Sequence, residues 1–421
     1  MIKQNNKSYE KQLNHQDVER YDITIVGGGM VGMAAALALS KYDLTICLLE
    51  NTLAENDTHP SYDDRTLVVN RASICFWKNL GIWDELSEYL TPINKVHVSN
   101  KGHFGTVIFD AKQLKVEALA YIVEAKVLGI ALKQKIEDHA AIKVICPACV
   151  TAFTSYAHFI EVEYDVNHDK KKLTASLMLA ADGVQSFIRK SLQLETQIKS
   201  YERTAIICNI TPELKHNNCA YERLTTSGPT ALLPFVNNRC GFVWTLTNEK
   251  AVEILKLSDR DFIQQAQTQF GYRLGQFIKV GKRSSYPLYL VKVPRQVKSR
   301  VILLGNAAHS MSPVSAQGLN LAVRDVAMLV EVLICSIKNK IDIGADETLN
   351  EYQQSIELDQ NQTMKYTDDL MNWFKIDESL VSGIRSVGLL TLDHMSGAKS
   401  ELFTRASGYR GKHTPPLLRY R

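Results

Sequence analysis

The sequence predicts an α/β fold: a Rossmann-like parallel sheet begun near the N-terminus, a β-rich domain inserted into it, and a helical C-terminal region. Three observations predict it. A strand–glycine–helix–strand unit starts at Tyr21, turn-punctuated strand runs fill the middle of the chain, and helical periodicity takes over after Leu319.

The first unit is the most informative. The apolar strand Tyr21 to Val26 breaks into Gly27-Gly28-Gly29-Met30-Val31-Gly32 and an Ala-rich helix, and a second apolar strand, Leu44 to Leu49, delivers Glu50. Gly27 allows the tight turn, Gly29 lets a pyrophosphate approach the backbone, and Gly32 lets helix and strand pack closely. The helix start offers free N–H groups and the positive dipole end to phosphates. Glu50 stands where an acid meets a ribose diol. The unit therefore reads as a dinucleotide site.

The later elements follow in order. A helix from about Ala72 to Leu80 stops at Gly81. Val96 to Phe109, with Gly102 and Gly105, reads as a hairpin, and Val127 to Ile136 as a helix. Strand runs follow at Val144–Phe153, Phe159–Tyr164, Leu173–Ala180, Thr204–Ile210, Thr230–Phe235, Gly241–Leu246, Ser285–Val291 and Val301–Leu304. The expected division is a flexible tail over 1–20, a discontinuous nucleotide-binding domain over 21–95, 115–190 and 292–350, and a β-rich domain over 96–114 and 191–291. A helical region with a basic tail covers 351–421. A ligand cleft is expected at the junction.

Composition narrows the partners. The 421 residues are 45% hydrophobic and 22% charged with net charge +4, a globular balance too weakly basic to argue for nucleic acid. Residues 1–20 lack the apolar core of a signal peptide. No apolar run reaches spanning length. Eight cysteines include one close pair, Cys146-Pro147-Ala148-Cys149, with no second pair to complete a metal site, so no metal is expected. Free thiols fit a reducing cytoplasm.

Two further motifs specify the nucleotide. Ala180-Ala181-Asp182-Gly183-Val184-Gln185-Ser186 follows a strand, and Gly305-Asn306-Ala307-Ala308-His309-Ser310-Met311-Ser312-Pro313 leads into Gln317-Gly318-Leu319-Asn320-Leu321. With the N-terminal glycines, these resemble the three FAD motifs of the para-hydroxybenzoate-hydroxylase-like flavoprotein monooxygenases. Ser61-Tyr62-Asp63-Asp64-Arg65, Leu80-Gly81-Ile82-Trp83 and Gln317 to Leu321 are similar to the ubiquinone-biosynthesis hydroxylases within that group. Val96-His97-Val98-Ser99, Tyr221-Glu222-Arg223 and Gly281 to Leu288 look most like its members acting on 2-polyprenyl-6-methoxyphenols. The resemblance covers roughly residues 21 to 410. Asn306 stands where most of the superfamily has Asp, which keeps an acceptor and loses a charge.

The resemblance implies an FAD-dependent aromatic hydroxylase in ubiquinone biosynthesis, using O2 through a flavin C4a-hydroperoxide. It implies cofactor contacts at Gly27, Gly29, Gly32, Glu50, Arg65, Asp182, Gly183, Gly305, Asn306, Gln317, Gly318, Leu319 and Asn320, with His309 and Pro313 near the flavin ring. Each has a plainer reading. Arg65 could pair with Asp63 or Asp64 at the surface, Asp182 could cap the following turn, and His309 could be bonded only to backbone. Nothing nominates a general base. With only one dinucleotide unit, NAD(P)H would bind transiently across the cleft, and a protein donor stays open.

The implied substrate is a lipophilic phenol, with other ubiquinone-biosynthesis proteins as partners. The expected location is the cytoplasm, with peripheral contact at the inner membrane left open. A basic tail carrying Arg405, Arg410, Lys412, Arg419 and Arg421 beside Leu417, Leu418 and Tyr420 would meet lipid, solvent or a protein. Two alternatives stand beside this reading: another ring position or a soluble aromatic substrate, and a flavin-bound structural member of an assembly.

Overall fold

The computed structural model describes residues 18–52, 65–225, 228–312, 316–373, 391, 393, 395–409 and 413–420. The first sheet has eight strands. Its parallel centre runs Val301–Leu303, Asp169–Ala180, Glu19–Val26, Ile46–Leu49 and Ile142–Ile145, side by side in that order. Burial on both faces explains why Ile46–Leu49 is an unbroken apolar run rather than an alternating one. The Met30–Leu39 helix is buried from Gly32 to Leu39 because it packs against two helices, Ala125–Glu137 and Gly318–Lys338. Its alanines allow that close approach.

The first strand begins at Glu19, where Glu19 and Arg20 pair with Leu173 and Thr174, so the expected tail boundary at residue 20 falls inside the sheet. The run expected as one strand over Val144–Phe153 is two. Ile142–Ile145 joins the parallel centre, and Cys149–Ser155 pairs antiparallel with Ile160–Val166. Pro147 separates them, because it cannot donate to a ladder.

The second sheet has nine strands. It runs His309–Ser310, Ser284–Lys292, Gln197–Pro212, Arg239–Thr247, Thr230–Phe235, Cys219–Leu224, Lys95–Asn100 and Thr106–Asp110, with Phe277–Val280 attached to the long Gln197–Pro212 strand. Two helices, Asn248–Leu255 and Asp259–Phe270, cover its outer face. There Phe242, Trp244, Phe262, Phe270 and Phe277 form an aromatic core. Neither helix was expected within the β-rich region. Thr247 and Ser258 start them by accepting from Lys250 N and Asp261 N. A small third sheet joins Thr66–Asn70, Ala120–Glu124 and Thr91–Ile93 between the two large ones.

The C-terminal part returns to the first unit. The long helices Gly318–Lys338 and Asp346–Trp373 pack together, and the turn at Pro416–Leu418 packs on the Arg71–Leu80 helix. Leu417 and Leu418, considered above as lipid contacts, are buried in the protein's own core, and Asn79 Nδ2 donates to Leu417 O at 3.0 Å. Tyr420 is the exposed apolar member of the three. Arg410, Lys412 and Arg421 lie outside the described residues. Among the described residues, no helix is long and apolar enough to cross a membrane. Leu418→Ala is expected to cost about 2–5 kcal/mol, read as a lower urea midpoint; an unchanged midpoint would contradict this packing.

Candidate active site

At the first turn, Gly27 takes a φ of +106°, and a Cβ there would meet Ala181 O at 2.4 Å. A Cβ on Gly32 would lie 1.9 Å from Gly27 O. The turn is therefore shaped by contact with the Ala181-Asp182 segment and admits no side chain at either position. Gly29 caps the Met30–Leu39 helix without any side-chain hydrogen bond, which leaves the first-turn N–H groups for a ligand. Glu50 sits beside this turn: Oε2 accepts from Gly28 N, and Oε1 accepts from Thr52 N at 2.6 Å. The Cys146 to Cys149 turn frames it, with Glu50 N donating to Ile145 O and Ala148 N donating to Glu50 O. Both cysteines are exposed and unbridged.

The second motif divides the two oxygens of Asp182. Oδ2 accepts from Ile188 N at 3.1 Å, which is the capping role, while Oδ1 is buried with no partner. The adjoining Gly183 has a φ of +80°. An orphaned buried carboxylate oxygen next to Gly27 fits a ligand that brings donors, as the hydroxyls of a dinucleotide do.

In the third motif, Gly305, Asn306 and Ala307 form a short turn in which Asn306 is the exposed member. His309 is buried, and its Nε2 lies 2.6 Å from Asp325 Oδ2, which also accepts from Gln360 Nε2 at 2.9 Å. His309 thus ties the turn to the Gly318–Lys338 helix and is not among the cavity-lining residues described below. Pro313 lies outside the described residues. That helix starts without a side-chain cap, and a Cβ on Gly318 would meet nothing within 4 Å. Leu319 packs on the core. Asn320 is committed to the fold, since Oδ1 accepts from Asn70 N and Nδ2 donates to Val68 O and Ala316 O. The Arg65 guanidinium lies 5.1 Å from the Tyr286 ring centroid.

Beside Gln317 and Asn320 opens a cavity of about 730 Å³ between the nine-stranded sheet, the Thr66–Asn70 strand and the C-terminal helices. Its walls are largely aliphatic and aromatic, including Val96, Val98, Val107, Phe109, Leu119, Leu233, Leu370, Leu402 and Phe403. Gln317 and Ser407 line it, and Gln317 Oε1, an acceptor, and the Ser407 hydroxyl are buried with no hydrogen-bond partner.

Glu222 also lines the cavity, and sequence reasoning missed it as a functional group. Burial among apolar neighbours pushes its carboxyl from 4.5 up to about 8. The available signal was an acid on the same strand face as Ala220 and Leu224, both of which also line the cavity. The shift has a stability consequence. The folded state holds the proton between the ordinary carboxylate range and pH near 8, so stability falls as pH rises through that window. Glu222→Gln should match the wild type near pH 4.5, melt progressively higher than it up to about pH 8, and hold a constant advantage above. A pH-independent difference in Tm would show that this carboxyl is solvated.

A model of an FAD binding domain matches residues 20–365. Ubiquinone hydroxylase UbiL of Rhodospirillum rubrum is 30% identical over 94% of this chain and 92% of its own length. The 3-demethoxyubiquinol 3-hydroxylase of Escherichia coli is 27% identical over 74% of this chain and 79% of its own. Among solved structures, p-nitrophenol 4-monooxygenase PnpA from Pseudomonas putida shares the fold with a TM-score of 0.77 at 16% identity, over 94% of this chain and all of that one. The chain belongs to this FAD-binding family, and FAD is its cofactor.

Proposed function

We propose that the protein is an FAD-dependent monooxygenase that hydroxylates a polyprenylated phenol, of the 2-polyprenyl-6-methoxyphenol kind, on the route to ubiquinone. The observation that carries this reading is the apolar cavity of about 730 Å³ reaching the Gly318 helix start. Bound FAD supplies redox equivalents from NAD(P)H or another donor and activates O2. The chain's own residues do the rest. Glu50 and the Gly27 turn would hold the adenosine and pyrophosphate side, with Asp182 Oδ1 and Asn306 toward the ribityl chain. The uncapped N–H groups after Gln317 would face the flavin ring, where a positive dipole end stabilises negative charge. Aliphatic walls accept the prenyl chain and keep water from the reacting centre.

Gly318→Asp tests the flavin placement. The side chain has room, and an acid in the first turn of a helix favours the helix, so the variant should fold. It should nevertheless purify without flavin, because the carboxylate occupies that space and opposes charge on the cofactor. A soluble, fully yellow variant would remove this helix start from the flavin site.

The function itself is tested by deleting the gene in its host and identifying accumulated lipids by mass spectrometry, with wild-type and Gly29→Glu copies supplied back. Accumulation of a prenyl-methoxyphenol cleared only by the wild-type copy is the expected result. Accumulation of a later, demethoxy intermediate would instead assign the ring position named for the Escherichia coli relative. Normal ubiquinone in the deletion would sink the reading, and rescue by the Gly29→Glu copy would point to a scaffold.

A further inference from the structure

We propose that Glu222 is the proton acceptor for the ring hydroxyl of the bound substrate. The placement comes from sheet register. Val107 pairs with Val98, Val98 with Glu222, Glu222 with Ala231, and Ala231 with Val243, so these five residues form one rung across five strands. All five line the cavity, and four of them are aliphatic. Glu222 is the single ionisable member, at the centre of the wall. No hydrogen bond or ion pair to its carboxyl is formed among the described residues, and burial alone accounts for its raised pKa.

An unpaired acid in an apolar wall is costly to keep, which argues for a ligand that completes it. The other carboxyl on the lining, Asp369, is exposed on the Asp346–Trp373 helix. A phenolic hydroxyl fits Glu222 chemically. In the step assigned here the phenol O–H bond breaks and the proton forms an O–H bond on the Glu222 carboxylate. The electron pair stays on the phenolate oxygen and spreads into the ring, making the ring carbons more nucleophilic. A base that titrates close to the working pH suits that transfer.

This inference rests on the phenol-hydroxylase reading, and the experiment separates the two. Purified holoenzyme and its Glu222→Gln and Glu222→Asp variants are given a short-chain prenylated methoxyphenol, NADPH and O2. FAD content, phenol binding, hydroxylated product and H2O2 are measured from about pH 6 to about pH 9. The wild type is expected to form more product per NADPH as pH rises, with a midpoint near 8.

Glu222→Gln keeps the shape and should bind FAD and the phenol. Its product formation should fall by about 10²-fold or more, with the oxygen diverted to H2O2 and the pH dependence gone. Glu222→Asp should recover part of the product and a pH-dependent profile. Wild-type product yield and an unchanged pH profile in Glu222→Gln would overturn the assignment while leaving the function intact. So would a loss that saturating phenol fully restores, because that is a binding defect alone. A wild type that hydroxylates no phenol would overturn the functional reading and this assignment with it.

Discussion

Replacing Gly32 by alanine is expected to yield protein that purifies colourless, with FAD affinity at least ~100-fold weaker, about 2.8 kcal/mol. The added methyl would stand 1.9 Å from Gly27 O and 3.2 Å from its carbonyl carbon. Both are backbone atoms, so no rotamer change relieves the clash. Either the Met30–Leu39 helix moves off the Glu19–Val26 strand or the Gly27 turn opens, and each displaces the N–H groups proposed to hold the pyrophosphate. Gly397→Ala serves as the control, because a Cβ there meets nothing within 4 Å and the residue lies in the Ser396–Ala406 helix. That change should leave the flavin in place. The measurement is flavin absorbance per protein after gel filtration, followed by titration of the apoprotein. A yellow Gly32→Ala protein with wild-type affinity would mean that the turn does not hold the cofactor.

The second large effect concerns the fold. Arg300 lies in the turn between Val297–Lys298 and Val301–Leu303, and its side chain is only 5% exposed. Nε donates to Tyr156 O at 3.1 Å, Nη1 to Ser176 O at 2.8 Å and to Asp342 Oδ1 at 3.0 Å, and Nη2 to Ala157 O and Asp342 Oδ2. One guanidinium thus joins the Asp169–Ala180 strand, the loop before Ile160 and the loop after the Gly318–Lys338 helix. Burial tends to raise the Asp342 carboxyl, but the Arg300 fork and Gly344 N–H outweigh it and hold the carboxyl below its ordinary range.

Arg300→Met should therefore destabilise the protein by about 3–5 kcal/mol, because a partly buried carboxylate and three carbonyls lose their donor. Arg300→Lys should recover little, since one ammonium cannot reach carbonyls on three sides. Urea unfolding of the three proteins decides. A loss under about 1 kcal/mol would place this pair with exposed ion pairs.

The residues that were legible in the sequence share a property. Gly27, Gly32, Gly81 and the Ala-rich helix act through backbone geometry that residue type sets locally, and the structure finds the helix and strand where that pattern puts them. Glu50 was readable for the same reason, as the end of a strand paired beside the turn. The helices Asn248–Leu255 and Asp259–Phe270 were partly readable, since Thr247 and Ser258 are ordinary N-caps. The strand runs around them drew the middle of the chain toward an all-β assignment. Cys219–Leu224 carried no strand signal of its own because Glu222 and Arg223 interrupt its apolar pattern. Its place is set by antiparallel pairing with Thr230–Phe235 and by parallel pairing with Lys95–Asn100, a contact distant in sequence.

The site divides along the same line. Residue order by itself pointed to a dinucleotide, through a turn that excludes side chains and an acid beyond it, and the resemblance of the two later motifs to known FAD motifs specified which one. Only the tertiary structure decided which atoms are left over. Asp182 Oδ1, Gln317 Oε1 and His309 Nδ1 are orphaned, Asn320 is spent on the fold, His309 Nε2 is paired with Asp325, and Leu417 and Leu418 are buried rather than offered to lipid. It also decided that Glu222 stands alone in an aliphatic wall. Desolvation and hydrogen-bond completeness belong to the surroundings a residue is folded into, and those surroundings are assembled from strands and helices far apart along the chain.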